Sequence, residues 1–85
     1  MSAATTPELV LFTRPTCPWC RRVTAYADEH GISLTLRDTS ADPLALEELV
    51  RVGGKRQVPC LLIDGQPLYE SADIVSWLAE NVVGD

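Results

Sequence analysis

Two cysteines separated by two residues, Cys17 and Cys20, constrain this chain most, because of what lies on either side of them. The preceding residues 9–12 are a short continuous apolar run, which is typical of a strand buried on both faces. Pro18, directly after the first cysteine, is tolerated in the first turn of a helix because its missing N–H would be unpaired there anyway. The sequence therefore predicts a strand that leads through a tight turn into a C-x-x-C pair at a helix N-terminus.

The first half of the chain has the pattern of a β-α-β unit. After the cysteine pair, Val23, Tyr26 and Ala27 recur at helical spacing. Gly31 then follows, a residue type that commonly ends helices. Apolar and polar residues alternate over 32–37, as in a strand. Residues 9–37 therefore predict two strands of one sheet joined by a crossover helix.

The second half predicts a helix and then a hairpin. Several residues that can cap a helix precede Pro43, and a glycine pair at 53–54 ends the helical pattern. Its predicted apolar face consists of Leu44, Leu46, Leu49 and Val50. Residues 58–63 and 66–69 are strand-like, and the Asp-Gly pair between them strongly favours a hairpin turn.

A last helix, which Ser71 is expected to cap, completes the chain. The predicted fold class is α/β, in the order β-α-β-α-β-β-α, with a four-stranded mixed sheet and helices on its faces. The 85 residues allow one domain. We expect that domain at 8–85, after a flexible leader at 1–7.

Composition narrows the classes of function. The chain is 46% hydrophobic and 22% charged, and its formal charge of −5 comes without a basic stripe, which argues against nucleic-acid binding. No apolar run approaches the roughly 20 residues that span a bilayer, so no membrane partner is expected. The first residues lack the pattern of a secretory signal. We therefore expect a cytoplasmic monomer.

The cysteine pair is expected to be chemically asymmetric. A helix N-terminus stabilises a thiolate, so Cys17 is the predicted nucleophile. Cys20 lies one turn further in, close enough to attack a mixed disulfide on Cys17. Arg14, Arg21 and Arg22 add local positive charge, which favours the thiolate and attracts an anionic thiol substrate. This arrangement predicts thiol–disulfide redox chemistry.

A structural zinc site is the alternative explanation of the C-x-x-C pair. Such a site needs four ligands, and only Cys60 and His30 remain, in no recognisable spacing. No metal is therefore expected. Cys60 is interpreted as a buried packing residue, with a role in redox chemistry left open.

Taken together, these features resemble the glutaredoxins, members of the thioredoxin-fold superfamily. The resemblance lies in Thr-Arg-Pro-Thr-Cys-Pro-Trp-Cys at 13–20, Gln-Val-Pro at 57–59, Ile-Asp-Gly at 63–65 and Tyr-Glu-Ser-Ala-Asp at 69–73. It covers residues 8–81 and implies a thioredoxin-like (glutaredoxin) fold. It also implies glutathione as the reducing co-substrate.

The resemblance further implies a set of glutathione-binding residues. Pro59 would be a cis proline, which leaves the Val58 backbone free to pair with the cysteinyl part of glutathione. Arg14 and Arg56 would bind a carboxylate of glutathione. The N–H groups of Ser71 and Ala72, at the start of the last helix, would bind the γ-glutamyl carboxylate, and the Asp73 side chain would pair with the γ-glutamyl amine. The full set is Arg14, Trp19, Arg56, Gln57, Val58, Pro59, Ser71, Ala72 and Asp73.

Three residues or pairs depart from the usual glutaredoxin pattern. Trp19 replaces the usual tyrosine, and Gln57 replaces threonine. Tyr69 and Glu70 replace a Gly-Gly pair, and the Glu-Ser sequence at 70–71 resembles the glutathione-binding segment of glutathione transferase N-terminal domains. The contacts with the γ-glutamyl group are therefore the part of the predicted site that the departures affect most.

The predicted function is reduction of protein disulfides and of protein–glutathione mixed disulfides through Cys17 and Cys20. The partners would be glutathione and disulfide-bonded or glutathionylated proteins. Two alternatives remain open: a redoxin that takes electrons from thioredoxin reductase, and a non-enzymatic module that holds glutathione or an iron–sulfur cluster.

Overall fold

A computed structural model describes residues 8–83, so the predicted leader at 1–7 lies outside the described residues. The elements are β1 (Leu9–Thr13), α1 (Pro18–Glu29), β2 (Thr35–Asp38), α2 (Pro43–Gly53), β3 (Cys60–Ile63), β4 (Gln66–Tyr69) and α3 (Ser71–Leu78), followed by a π-helical turn (Ala79–Val83). This order confirms the prediction. The longest helix, α1, has 12 residues. Within residues 8–83, no helix combines the length and the apolar character needed to cross a membrane.

The four strands form one mixed sheet in the order β2-β1-β3-β4. β1 and β2 are parallel, and the other two pairs are antiparallel. In this register Phe12 lies opposite Cys60, which lies opposite Tyr69. The end of β1, the start of β3 and the end of β4 therefore meet at one end of the sheet. The segments that follow β1, precede β3 and follow β4 converge there.

Alternation along the strands places a core cluster on each face of the sheet. One cluster packs α1 and α3 against the sheet and consists of Leu9, Leu11, Val23, Leu61, Ile74 and Leu78. The other cluster packs α2 against the opposite face and consists of Phe12, Leu49, Cys60 and Leu62. Successive side chains of a strand point to opposite faces, and here both faces are covered. The prediction that the first strand is buried on both faces is therefore confirmed.

The predicted apolar face of α2 is wrong in part. Ala45 and Leu49, four residues apart, are fully buried against the sheet. Leu44 and Val50 are 67% and 40% exposed. Because α2 carries apolar residues over most of its circumference, periodicity alone does not select the buried stripe. Contact with the sheet, which buries Ala45 and Leu49, selects it.

Several predicted boundaries also move. β2 begins at Thr35 instead of residue 32, because pairing with β1 begins only there. Ile32 and Leu34 pack against the core before that point. β3 begins at Cys60 instead of residue 58. Ser71 is the first residue of α3 and is buried, so the prediction that it caps the helix is wrong. Glu70 occupies the N-cap position, without a side-chain capping bond.

Candidate active site

Cys17 occupies the N-cap position of α1. Its N–H donates to the carbonyl of Arg14 at 3.2 Å, which closes the turn after β1. Its Sγ accepts from the N–H of Cys20 at 3.3 Å, so the sulfur takes the place of an ordinary capping oxygen. Cys17 is partly exposed, whereas Cys20 is fully buried. Cys17 is therefore the thiol of the pair that is accessible to a substrate, and the Cys20 thiol is shielded from solvent.

The two thiols differ in acidity. Burial acts to raise the pKa of Cys17, but the Cys20 thiol, the N–H groups of Cys20 and Trp19 and the charge of Arg14 outweigh it and lower that pKa below the usual value. Burial raises the pKa of Cys20, and the neighbouring Cys17 sulfur raises it further. The pair therefore ionises first at Cys17, the accessible sulfur.

This difference predicts the pH dependence of alkylation. Since only the thiolate reacts with iodoacetamide, a lowered pKa moves the rate of Cys17 modification to a plateau at lower pH than for an ordinary thiol. Arg14→Gln should move the midpoint upward by less than about one pH unit, because a single exposed charge is well screened. Peptide mapping after timed alkylation from pH 5 to 10 measures the midpoint for Cys17 in the wild type and in Arg14→Gln. A midpoint at or above that of an unfolded cysteine would contradict the assignment.

An open cleft of about 280 Å³ lies beside the α1 N-terminus. It is lined by Trp19, Arg22, Gln57, Val58, Pro59, Glu70, Ser71 and Ala72. These residues come from α1, from the loop before β3 and from the start of α3, which the sheet register brings to the same end. The Val58–Pro59 peptide bond is cis, as the resemblance implied. Trp19, 61% exposed, presents an aromatic wall to the cleft.

Six of the nine residues that the resemblance implied line this cleft: Trp19, Gln57, Val58, Pro59, Ser71 and Ala72. Arg14 instead lines a separate groove beside Arg21 and Leu36. Arg56 and Asp73 are exposed but are not part of the cleft lining. The structure therefore brings together the aromatic residue, the cis proline and the first residues of α3. The three charged residues of the predicted set lie outside the cleft lining.

Two cleft residues, Arg22 and Glu70, are outside the predicted glutathione-binding set, although Arg22 was expected to attract an anionic substrate and the Glu-Ser sequence at 70–71 resembles a glutathione-binding segment. Arg22 lies three residues after Trp19, so it shares a helix face with it, and this spacing was a usable signal. Glu70 has a φ of 73°, in the left-handed region that a residue with a side chain rarely adopts. Its carboxylate accepts a hydrogen bond from Gln57 Nε2 at 3.2 Å. No local pattern in the sequence predicts that contact.

The N-terminus of α3 opens onto the cleft. No side chain caps this helix, and Ser71 and Ala72 of its first turn line the cleft. The free N–H groups of a first helical turn carry partial positive charge and attract carboxylates. Arg22 adds positive charge to the cleft lining, and the Glu70 carboxylate adds negative charge.

Cys60 lies away from this chemistry, in the core cluster under α2. It is fully buried, and burial raises the pKa of its thiol. This environment is the one expected of a packing cysteine. Within residues 8–83, no three His, Cys, Asp or Glu side chains cluster as a metal site would require.

Comparison with known proteins identifies the relatives of this chain. A model of the glutaredoxin family matches residues 9–68. Glutaredoxin 3 of Escherichia coli K12 is 30% identical over 64 residues, an alignment that covers 75% of this chain and 77% of that protein. The global transcriptional regulator Spx 1 of Oceanobacillus iheyensis is 36% identical over 44 residues, which cover 52% of this chain and 34% of the regulator.

Solved structures give a related result. A rice glutathione transferase in complex with glutathione is 29% identical, with a TM-score of 0.73. The superposition covers 91% of this chain and 34% of the transferase. The chain therefore spans about a third of the transferase and of the Spx regulator, but three quarters of Glutaredoxin 3.

Proposed function

Because this chain belongs to the glutaredoxin family, we propose that it is a glutathione-dependent thiol–disulfide oxidoreductase that acts through Cys17 and Cys20. The predicted thioredoxin-like fold is confirmed, and family membership supports thiol–disulfide oxidoreductase activity. The observation that carries the finer proposal is the asymmetry of the pair. A partly exposed thiol with a lowered pKa lies one helical turn from a buried thiol with a raised pKa.

With a protein–glutathione mixed disulfide, the Cys17 thiolate attacks the glutathione sulfur. A bond forms between Cys17 and glutathione, the original disulfide breaks, and the protein leaves as a thiolate that takes a proton from water. A second glutathione thiolate then attacks the glutathione sulfur on Cys17. This step releases glutathione disulfide and restores the Cys17 thiolate. A low leaving-group pKa accelerates the second exchange, so the lowered pKa of Cys17 serves both steps.

With a protein disulfide, Cys20 completes the reaction. Cys17 first forms a mixed disulfide with the protein and releases its other cysteine as a thiolate. Cys20 loses its proton and attacks Cys17, which forms the Cys17–Cys20 disulfide and frees the reduced protein. Two glutathione molecules then reduce that disulfide. The raised pKa of Cys20 favours its protonated thiol, so Cys17 is the first of the pair to react with the substrate.

The cleft beside the cysteine pair is the proposed site for the glutathionyl group. The Val58 backbone pairs with its cysteinyl part, and the N–H groups of Ser71 and Ala72 bind its γ-glutamyl carboxylate. Trp19 packs against its aliphatic part. The cleft lining supports these roles, and the rice transferase, a relative in complex with glutathione, supports the choice of ligand. Arg14, Arg56 and Asp73 would have to reach the ligand from outside this lining.

A coupled assay tests the choice of reductant. A glutathionylated peptide is supplied with NADPH, glutathione and glutathione reductase, and in parallel with NADPH and thioredoxin reductase without glutathione. We expect catalysed NADPH oxidation in the first assay, at least about tenfold faster than without the protein. Activity in the second assay alone would contradict glutathione dependence and favour the redoxin alternative.

A further inference from the structure

The Tyr69-Glu70 pair joins β4 to α3 and contacts the loop at 55–57 at two points. The Tyr69 hydroxyl donates to the carbonyl of Lys55 at 3.3 Å. The Glu70 carboxylate accepts from Gln57 Nε2 at 3.2 Å. In addition, the Lys55 ammonium group lies 4.3 Å from the centre of the Tyr69 ring. Two adjacent residues thus hold both ends of a three-residue segment that is remote in sequence.

The end of α2 is shaped to receive the Tyr69 hydroxyl. A methyl group built on Gly53 would overlap that hydroxyl oxygen and would lie 3.2 Å from the ring carbon that carries it. Position 53 is helical, so the reason for glycine here is the close approach of Tyr69 and not an unusual backbone angle. The close fit restricts the position of the hydroxyl, because a closely packed neighbour leaves it little room to shift.

The 55–57 segment depends on these contacts because it has few of its own. Lys55 and Arg56 are exposed, and regular pairing begins only at Cys60. Among the described residues, 55–59 form no backbone–backbone hydrogen bond outside helices and strands. Yet this segment leads directly into Val58 and Pro59, which form a wall of the cleft. Val58 packs against the core cluster under α2, and Pro59 is buried. The side-chain contacts from Tyr69 and Glu70 therefore restrain the segment that leads into that wall.

We propose that Tyr69 and Glu70 form a two-point clamp that holds the 55–57 loop so that Val58 meets the glutathionyl half of the substrate. Tyr69 does not itself line the cleft and acts through Lys55, so it is a positioning residue. The proposal rests on the proposed function for the identity of the ligand. It assigns a role to the segment at which this chain departs from the usual glutaredoxin sequence.

Tyr69→Phe tests the clamp, because it removes the hydroxyl and keeps the ring. Loss of one hydrogen bond predicts an increase in KM for a glutathionylated peptide of about fivefold, with kcat within about twofold. The pH midpoint of Cys17 alkylation should not change. Limited trypsin digestion should cleave after Lys55 and Arg56 faster, because a loop that opens more often is cut more often. Tyr26→Phe is the matched control, since the Tyr26 ring stacks on His30 at 4.2 Å between centroids, away from the cleft.

Gly53→Ala gives a second, independent test. The added methyl group displaces the Tyr69 hydroxyl, so KM should rise as it does in Tyr69→Phe. In the Gly53→Ala, Tyr69→Phe double variant, the methyl group meets a ring that lacks the hydroxyl. The two changes should therefore combine to less than the product of their separate effects on KM.

The outcomes separate this proposal from the proposed function. An unchanged KM in Tyr69→Phe would overturn the clamp while the wild-type activity stands. A fall in kcat with no change in KM would also overturn it, because that pattern indicates an effect on the chemical step and not on binding of the glutathionyl group. If the wild-type protein does not turn over the glutathionylated peptide, the proposed function fails. Unchanged tryptic cleavage after Lys55 and Arg56 in Tyr69→Phe would in that case overturn the clamp by itself.

Discussion

Cys17→Ser is expected to abolish turnover of a glutathionylated peptide, whereas Cys20→Ser is expected to retain it. The first variant loses the sulfur that attacks the mixed disulfide, and a serine hydroxyl at neutral pH does not replace a thiolate with a lowered pKa. We expect a fall in kcat/KM of more than about a thousandfold. The second variant keeps the attacking thiolate, and a second glutathione completes the cycle. Its rate should stay within about tenfold of wild type.

Reduction of a peptide with an internal disulfide is a second reaction in which the two variants can be compared. This reduction requires Cys20 to resolve the mixed disulfide, so both variants should lose most of this activity. Cys60→Ala is the matched control, because its thiol is fully buried in the cluster under α2 and should leave both activities near wild type. Equal loss of deglutathionylation in Cys17→Ser and Cys20→Ser would contradict the account and indicate a strictly dithiol mechanism.

Leu49→Ala is expected to lower the free energy of unfolding by about 2–5 kcal/mol. The side chain is fully buried between α2 and the sheet, and truncation leaves a cavity beside Phe12, Cys60 and Leu62. A domain of this size has a total stability of about 4–13 kcal/mol, so the loss is a large share of it. Leu44→Ala, on the same helix but 67% exposed, should change stability by less than about 0.5 kcal/mol.

Urea unfolding followed by circular dichroism measures both variants. The midpoint should fall strongly for Leu49→Ala and stay near wild type for Leu44→Ala, with similar slopes. Comparable losses in the two variants would contradict the packing of α2. The comparison isolates burial, since the same chemical change is made twice in one helix.

That pair of leucines also shows what the sequence alone could establish. The element order followed from independent local signals that agree: proline after Cys17, glycine after the helices and an Asp-Gly turn. The buried face of α2 did not follow, because Leu44, Leu46, Leu49 and Val50 spread apolar side chains around most of the helix. Contact with the sheet selects among them. That choice belongs to tertiary packing, which overrides the local pattern.

The residues of the candidate site likewise fall into those that the sequence could place and those that it could not. Trp19, Pro59 and Ser71 were predicted in the cleft, because motifs fix their positions relative to elements that the sheet register brings together. Arg14 was predicted to bind glutathione but lines a neighbouring groove, since the direction of a long side chain in a turn does not follow from its position in the chain. The Gln57–Glu70 bond joins residues 13 apart through the β3–β4 pairing and has no local signature.

The most direct test of the central claim is the site at which glutathione is captured. Cys20→Ser is incubated with a glutathionylated peptide, quenched with acid, digested and mapped by mass spectrometry. The account predicts one glutathione per chain, in disulfide linkage to Cys17, with the peptide released as a free thiol. Glutathione on Cys60, or the peptide instead of glutathione attached to Cys17, would contradict it.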